Sequence, residues 1–469
     1  MASKAKNVDM LNGPIVKGIL TMAIPIMVMN VLQSLFGIID IKIVSFLGGS
    51  VGAVSVGGTF TSVLTGLLIG LAVGANVVIS KYIGQGEKEE ADKTVGTAIL
   101  IAIVGGLGIM LLGLIVARPV LILINCPATL LDDATLYLRL FFVAVPPLIL
   151  YNFSANILRS IGETKKPMIY YTIAGVIKIV LTYVLIVVFK DSMWGVGVAT
   201  ILANLFAGIT TFIAVLKNKK DIEFKSKHLK FYGPQVKQIL QVGIPAGLQT
   251  ALYSLANLVI GAEVNKNGEH ATTGISIANH FDAIIYQIVV APGHAVTSYI
   301  AQNVGANNIK RIKQIVIKSI ILTVLIGGIS GGLSALFSGQ LTAMIDKTPE
   351  VIAYSQQKMT LVSSLYFICG IYEIFGATLR GLGKAIVPTI CTLAFMCGLR
   401  FLWVYLVYPL MAGNLTFLYL VWPVGWVLSI AVMLAVYFPT ISKLEKQILQ
   451  QENNSPIVEN NQQENSKTI

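Results

Sequence analysis

The chain has 469 residues, 55% hydrophobic and only 12% charged, with a mean hydropathy of +0.77. Water-soluble domains carry roughly a quarter charged residues, so the composition excludes a soluble globular protein and points to a polytopic membrane one. A net charge of +12 does not signal nucleic acid here, because the positive residues crowd into alternate connections between apolar stretches.

The first residues, MASKAKNVDML, lack the apolar core and small-residue cleavage site of a signal peptide, so the first hydrophobic helix is expected to remain as a span. From Gly13 to Gly48 the chain is almost entirely apolar yet holds Gln33 and Asp40. At a rise of about 1.5 Å per residue this stretch outreaches a hydrocarbon core of ~30 Å. A carboxylate inside such a span is costly unless it faces protein or water, which makes Asp40 a functional candidate.

Breaks at Gly, Pro and charge clusters predict spans near 15–46, 51–80, 94–117, 134–157, 168–189 and 193–216. A second set is predicted near 239–264, 271–301, 314–337, 355–379, 386–408 and 415–438. The expected fold is therefore all-α and polytopic, with twelve transmembrane helices. Residues 1–14 form a cytoplasmic N-terminus, 15–216 a first lobe, 217–238 a lysine-rich cytoplasmic linker and 239–442 a second lobe. Residues 443–469, rich in Gln, Asn and Glu, read as a disordered cytoplasmic tail. With the N-terminus inside, the connections near 81–93, 159–166, 217–238, 305–318 and 380–384 hold most of the 34 Lys and Arg residues, which places both termini in the cytoplasm.

The halves match each other. ISKYIGQGE begins at 79 and IAQNVGANN at 300; LRSIGETKKP begins at 158 and LRGLGKAIVP at 379. Both pairs keep an offset of 221 residues. Ile244-Pro245 likewise answers Ile24-Pro25. Six spans per unit bring both halves in from the same side, a parallel repeat of two six-helix bundles with a cleft between them.

With these pieces in view, the chain resembles the multidrug and toxic compound extrusion (MATE) family over roughly residues 10–440. The resemblance is carried by the Ile-Pro turn and polar helix of span 1, VGANVVISKYIGQGE with its partner AVTSYIAQNVGANN, and LRGLGKAIVP. It implies export of organic, mostly cationic or amphipathic compounds against inward H⁺ or Na⁺, from a multi-pass position in the plasma membrane. It also implies an ion-coupling role for Asp40. Where members of the family carry a pattern like NxxLD in span 5, this chain has KIVLT, with Lys178 and Thr182 at the Asn and Asp places. A lysine there favours protons over sodium.

The residues themselves nominate Asp40, Asp282 and Glu373 as ion-coupling acids. Asp282 lies ~15 Å into span 8 and Glu373 about 10 Å from the cytoplasmic face. One carboxylate for which proton and cationic cargo compete gives exchange without further machinery. Glu263, at the end of span 7, is expected at a wet interface. Lys178 and Arg400 lie at similar places in the two repeats, one residue out of step; Lys178 is expected to pair with Asp40, and Arg400 with Glu373 or Asp282. Asn279, Asp282 and Tyr286 share a helical face beside His280. With Gln33, Asn152 and Tyr372 they form the expected substrate wall, to which Tyr253, Tyr366 and Trp403 could add. Pro25, Pro245 and Pro292 interrupt spans and are candidate hinges.

No phosphate-binding GxxxxGK[ST] loop or nucleophile–base pair stands out, so an enzyme is not expected. Four cysteines without a CxxC pair and four unclustered histidines offer no metal site, and no cofactor beyond the coupling ion is expected. The expected partners are a small organic substrate and the lipid bilayer, with the protein a monomer. The runner-up is a flippase for lipid-linked oligosaccharide; an ion channel or scaffold is the rival from another class.

Overall fold

The computed structural model describes residues 7–46, 51–123, 126–189, 192–219, 221–411 and 414–454. Side chains are described at all of these except 37, 38, 40–42, 44–46, 51–64, 192, 226, 251, 253–255, 258 and 451–454. Among the described residues there is helix and no strand.

Six helices build the first lobe: α1 (Ile15–Phe46), α2 (Val51–Gln85), α3 (Lys88–Leu123), α4 (Ala128–Ser160), α5 (Lys165–Phe189) and α6 (Ser192–Lys217). The second lobe opens with α7 (Gly233–Asn265), α8 (Glu269–Gly305) and α9 (Ile309–Leu336). It continues through the short α10 (Ser338–Ala343) to α11 (Pro349–Ser364) and α12 (Tyr366–Gly381). Its last elements are α13 (Ile386–Met411), α14 (Leu415–Tyr419) and α15 (Val421–Asn454). Among the described residues ten helices are long and apolar enough to cross a membrane, and α11 with α12 makes an eleventh, bent by 47°. Of the twelve expected spans, the seventh corresponds to α7, 33 residues long but not one of the ten.

The outer faces are apolar, as lipid contact requires. On α9, Ile317, Ile321, Leu325, Ile329 and Leu333 recur every fourth residue and all are exposed. Away from prolines such as Pro25, Pro245 and Pro292, a helix pairs its own backbone groups, leaving the ends to be closed by caps.

Those caps display the repeat. After α2, Gly86 has φ 78°, and the amides of Gly86 and Glu87 bond the carbonyls of Ile83 and Tyr82. After α8, Asn307 has φ 53°, and the amides of Asn307 and Asn308 bond the carbonyls of Val304 and Asn303. Each of those residues lies 221 positions after its counterpart. Gly162 after α4 and Gly383 after α12, at φ 78° and 76°, repeat the arrangement at the same offset. These are left-handed C-terminal caps of the kind glycine and asparagine favour.

The lobes exchange their first helices. α1 packs on α8 and α7 packs on α2, while α2 also meets α8. Ile15, Ile19 and Met22 of α1 belong to the core of the second lobe, and Ile239 of α7 belongs to the core of the first. Along α2 and α7 the backbones touch: a Cβ on Gly70 would overlap the Gly247 backbone, and one on Gly74 the carbonyl of Ile239.

Side chains cross the seam at the end carrying the lysine-rich connections. There Gln302 Nε2 donates to the Ser160 carbonyl at 2.7 Å, and Asn303 Nδ2 to that of Met10 at 3.1 Å. Deeper in, Ser298 Oγ donates to Asn76 Oδ1 at 2.9 Å, and Asn76 Nδ2 to the Asn156 carbonyl at 2.8 Å. Residues 221–223 of the connection are docked on this end. Asn7 Nδ2 donates to Asp221 Oδ2 at 2.7 Å, the Glu223 amide to Asp92 Oδ1 at 2.7 Å, and Ile222 is fully buried.

Two departures concern local winding. The bend between α11 and α12 falls at Leu365 and involves no proline, unlike the hinges expected at Pro25, Pro245 and Pro292. In α13, Thr392–Gly398 and Trp403–Val407 are wound as π-helix on either side of Arg400. A π turn takes up an additional residue. That accounts for Arg400 standing one residue out of step with Lys178.

Candidate functional site

Three cavities run from one lobe to the other. The largest, about 550 Å³, lies in the first lobe. A second of about 340 Å³ lies between the lobes and shares Ile69, Val73, Asn156, Arg159 and His294 with the first. A third of about 330 Å³ lies within the second lobe and meets the middle one at Tyr286.

The first-lobe cavity is walled by α1, α2, α4, α5 and α6, with His294 of α8 entering from across the seam. Two expected substrate residues, Gln33 and Asn152, line it, together with Lys178. Asn152 turns its Nδ2 back onto the Leu148 carbonyl at 2.9 Å, leaving its amide oxygen as acceptor. The rings of Tyr151 and Tyr171 lie 5.0 Å apart, tilted by 32°, and Tyr151 OH donates to Met29 Sδ at 2.7 Å. Arg159, in the last turn of α4, is buried and donates through Nη1 to Asn156 Oδ1 at 3.3 Å. The side chains of Asp40 and Tyr253, and with them the expected Asp40–Lys178 pair, lie outside the described residues.

In the middle cavity Glu373 of α12 is 5% exposed and accepts from Tyr286 OH at 2.9 Å. Arg380, two turns along the same helix, brings Nη2 to 3.9 Å from Glu373 Oε2, a loose ion pair. Its Nη1 donates to Gln249 Oε1 at 3.1 Å. Gln249 Nε2 in turn donates to Tyr372 OH at 3.1 Å, and Tyr372 OH stands 3.0 Å from Thr392 Oγ1. Tyr286 and Tyr372, both expected on the substrate wall, therefore sit in one network that ties α7, α8, α12 and α13 together.

The third cavity contains a buried salt bridge. Lys358 Nζ lies 2.8 Å from Asp282 Oδ2 and also donates to Asn279 Oδ1. Ser363 Oγ donates to Asp282 Oδ1 at 2.9 Å. The Lys358 ammonium stands 5.5 Å from the centre of the Trp422 ring, and the Arg400 guanidinium carbon 5.2 Å from it. A lysine held by a carboxylate, an amide and an indole face is well compensated for its burial.

The structure corrects the expected pairing of Arg400. Lys358 takes Asp282, Arg380 stands by Glu373, and Arg400 Nη1 donates to Asn257 Oδ1 at 2.7 Å. Proximity on the π-flanked face of α13 sends the guanidinium towards α7 instead of α12. Of the other candidates, Glu263 pairs with Lys266 at 2.7 Å at the end of α7, and Trp403 donates to the Phe417 carbonyl at 2.8 Å, away from the cavities. Tyr366 lines the third cavity and donates to the Asp282 carbonyl at 3.2 Å.

Sequence reasoning misses Lys358, His294, the burial of Arg159 and the inward setting of Arg380, whose side chain is 12% exposed. Both arginines fall in the cation-rich connections by sequence, although the shared Leu-Arg at 158 and 379 is itself the signal that they matter.

The comparisons agree with this arrangement. A family model described as MatE matches the chain twice, at residues 25–184 and 245–406, one match in each lobe. "Probable multidrug resistance protein YoeA" of Bacillus subtilis is 26% identical over 386 residues, covering 80% of this chain and 83% of its own. A protein named "FAD transporter" from Shewanella oneidensis is 23% identical over 398 residues, covering 82% and 87%. A crystal structure of a MATE protein in the straight conformation superposes with a TM-score of 0.87 at 20% identity, covering 95% of this chain and all of that one.

Proposed function

Because the chain belongs to the MatE family of membrane transporters, we propose that it is a secondary antiporter. In this reading it exports an amphipathic organic compound by alternating access, in exchange for H⁺ or Na⁺. The observation that carries the reading is Glu373: a buried carboxylate in the cavity between two lobes that are sealed at one end. A titratable group there is exposed to whichever side the lobes open, so one lobe movement changes both its proton supply and the access of cargo.

The sealed end carries the lysine-rich connections. We take it as cytoplasmic, with the protein in the plasma membrane, both termini inside and the cavities facing outward. Asp282 and Glu373 are the coupling acids described here; Asp40 retains that role on the family resemblance. Both described acids already have cationic neighbours, at 2.8 Å and 3.9 Å. An ion arriving on either carboxylate frees a lysine or an arginine, and that charge shift can drive α8 against α11 and α12. The names of the relatives do not choose the cargo, since they include both drug resistance and a flavin nucleotide.

Dye efflux from inverted vesicles under an imposed pH or Na⁺ gradient tests the proposal. Efflux that follows one gradient and stops in Glu373→Gln is the expected result; efflux indifferent to both gradients overturns it. The flippase reading gains from Arg159 and Arg380, which both line the middle cavity. It predicts headgroup translocation without a coupling gradient, which the same vesicles would report.

A further inference from the structure

Building on the transporter reading above, we propose that the first-lobe cavity is the cargo site for an organic anion, a flat ring system bearing a phosphate or carboxylate that is anchored by Arg159. The duplication supplies the argument. Arg380 has Glu373 seven residues earlier on its helix and Gln249 Oε1 at 3.1 Å. Arg159, its equivalent at the 221-residue offset, has Asn152 at the place of that glutamate. Among the described residues its bonded partner is Asn156 alone, at 3.3 Å. A guanidinium offers five N–H donors in a fork suited to planar oxyanions. A buried one without a carboxylate is costly unless a ligand supplies the counter-charge.

The rest of the wall agrees in sign and shape. The charged or ionisable side chains among the described lining residues are Arg159, Lys178 and His294, besides tyrosines; no described lining residue is acidic. Lys178 has a contact of its own, so the weight falls on Arg159. Asp40 is not among the residues whose side chains are described. It lies about 30 Å or more of helix rise along α1 from the sealed end where α4 finishes. The Tyr151–Tyr171 pair presents aromatic faces for a flat ring, and the amides of Asn152 and Gln33 can bond its edge. Arg159 stands where the 550 Å³ and 340 Å³ cavities join, so an anchored anion would straddle the lobe boundary and feel any movement of the lobes.

The test compares FMN with riboflavin, which share a ring and differ by one phosphate, and with cationic ethidium. Binding is read by fluorescence polarisation on the full-length protein in detergent. FMN should bind about tenfold tighter than riboflavin, the worth of one charge-assisted hydrogen bond. Arg159→Gln should abolish that preference, and Arg159→Lys should restore part of it. If Arg159→Gln does not elute as a folded protein, the wild-type preference must instead shrink as salt is raised. Displacement of FMN by short-chain phosphatidylglycerol, and not by phosphatidylcholine, identifies a lipid headgroup as the anion; displacement by neither identifies a soluble one.

FMN no tighter than riboflavin, or ethidium preferred to both, overturns the proposal. So does a preference that survives Arg159→Gln, or that resists salt where that variant does not fold. Gradient-driven ethidium efflux without an FMN preference would sink this inference alone. FMN preference without gradient-driven efflux would sink the antiporter reading alone.

Discussion

Lys358 and Asp282 meet at 2.8 Å inside the second lobe, with side chains only 3% and 10% exposed. The pair closes α11 onto α8 and turns a cavity wall that would be anionic into a neutral one. Removing either partner strands the other. Lys358→Met and Asp282→Asn should each destabilise the protein by about 3–5 kcal/mol, and the double variant by much less than their sum. Thermal unfolding in detergent as a double-mutant cycle measures this; additive losses would show that the two charges are not coupled.

Glu373→Gln keeps an acceptor for Tyr286 OH and removes the charge beside Arg380. Cargo binding should persist while gradient-driven efflux falls to background. Vesicle efflux and equilibrium binding on the same preparation check the split, and parallel loss of both would place Glu373 in binding instead of coupling.

Gly383 and Gly162 occupy the same left-handed cap position in the two repeats. A Cβ on Gly383 meets nothing within 4 Å, whereas one on Gly162 comes to 2.7 Å from the Val8 carbonyl oxygen. Gly383→Ala should therefore cost about 1–2 kcal/mol, the backbone term alone, and Gly162→Ala clearly more. Asn307→Gly, at another of the four such caps, should be neutral or slightly stabilising. Melting temperatures of the three variants decide the order.

Gly70→Ala puts a methyl group against the Gly247 backbone. The seam between α2 and α7 cannot absorb it without separating, so the sealed end should open more often. A reporter cysteine at Ser298, in a background without the four native thiols, should react faster with a membrane-impermeant maleimide from that side. Unchanged labelling would show that the seam does not govern access.

Much of this architecture is legible in the sequence. Apolar length gives the spans, and the repeated Leu-Arg, Gly and Pro at a fixed offset give two lobes. The caps at Gly86 and Asn307 show why the offset holds through differing residues: both types tolerate the left-handed turn. The site was only partly legible. Asp282, Glu373, Tyr286 and Tyr372 were found because polar groups in apolar runs need a reason. Lys358 escaped because it stands near the start of its span, where a lysine reads as an interfacial one. Arg159 and Arg380 escaped because a cation in a helix's last turn is ordinarily solvated. Only the meeting of the lobes, which no local pattern encodes, turns those last turns inward. The winding of α13 was equally hidden, since a π turn has no signature in hydrophobic spacing.

The backbone-to-backbone contact of α2 with α7 has a mechanical meaning. Side chains that interlock like teeth must disengage before two helices can shift. Gly70, Gly74, Gly243 and Gly247 offer no teeth, only two smooth ridges. Such a joint leaves fewer side chains to disengage when one half of the molecule shifts on the other, so the polar latches at Asn76, Ser298 and Gln302 bear a larger share of the resistance to motion.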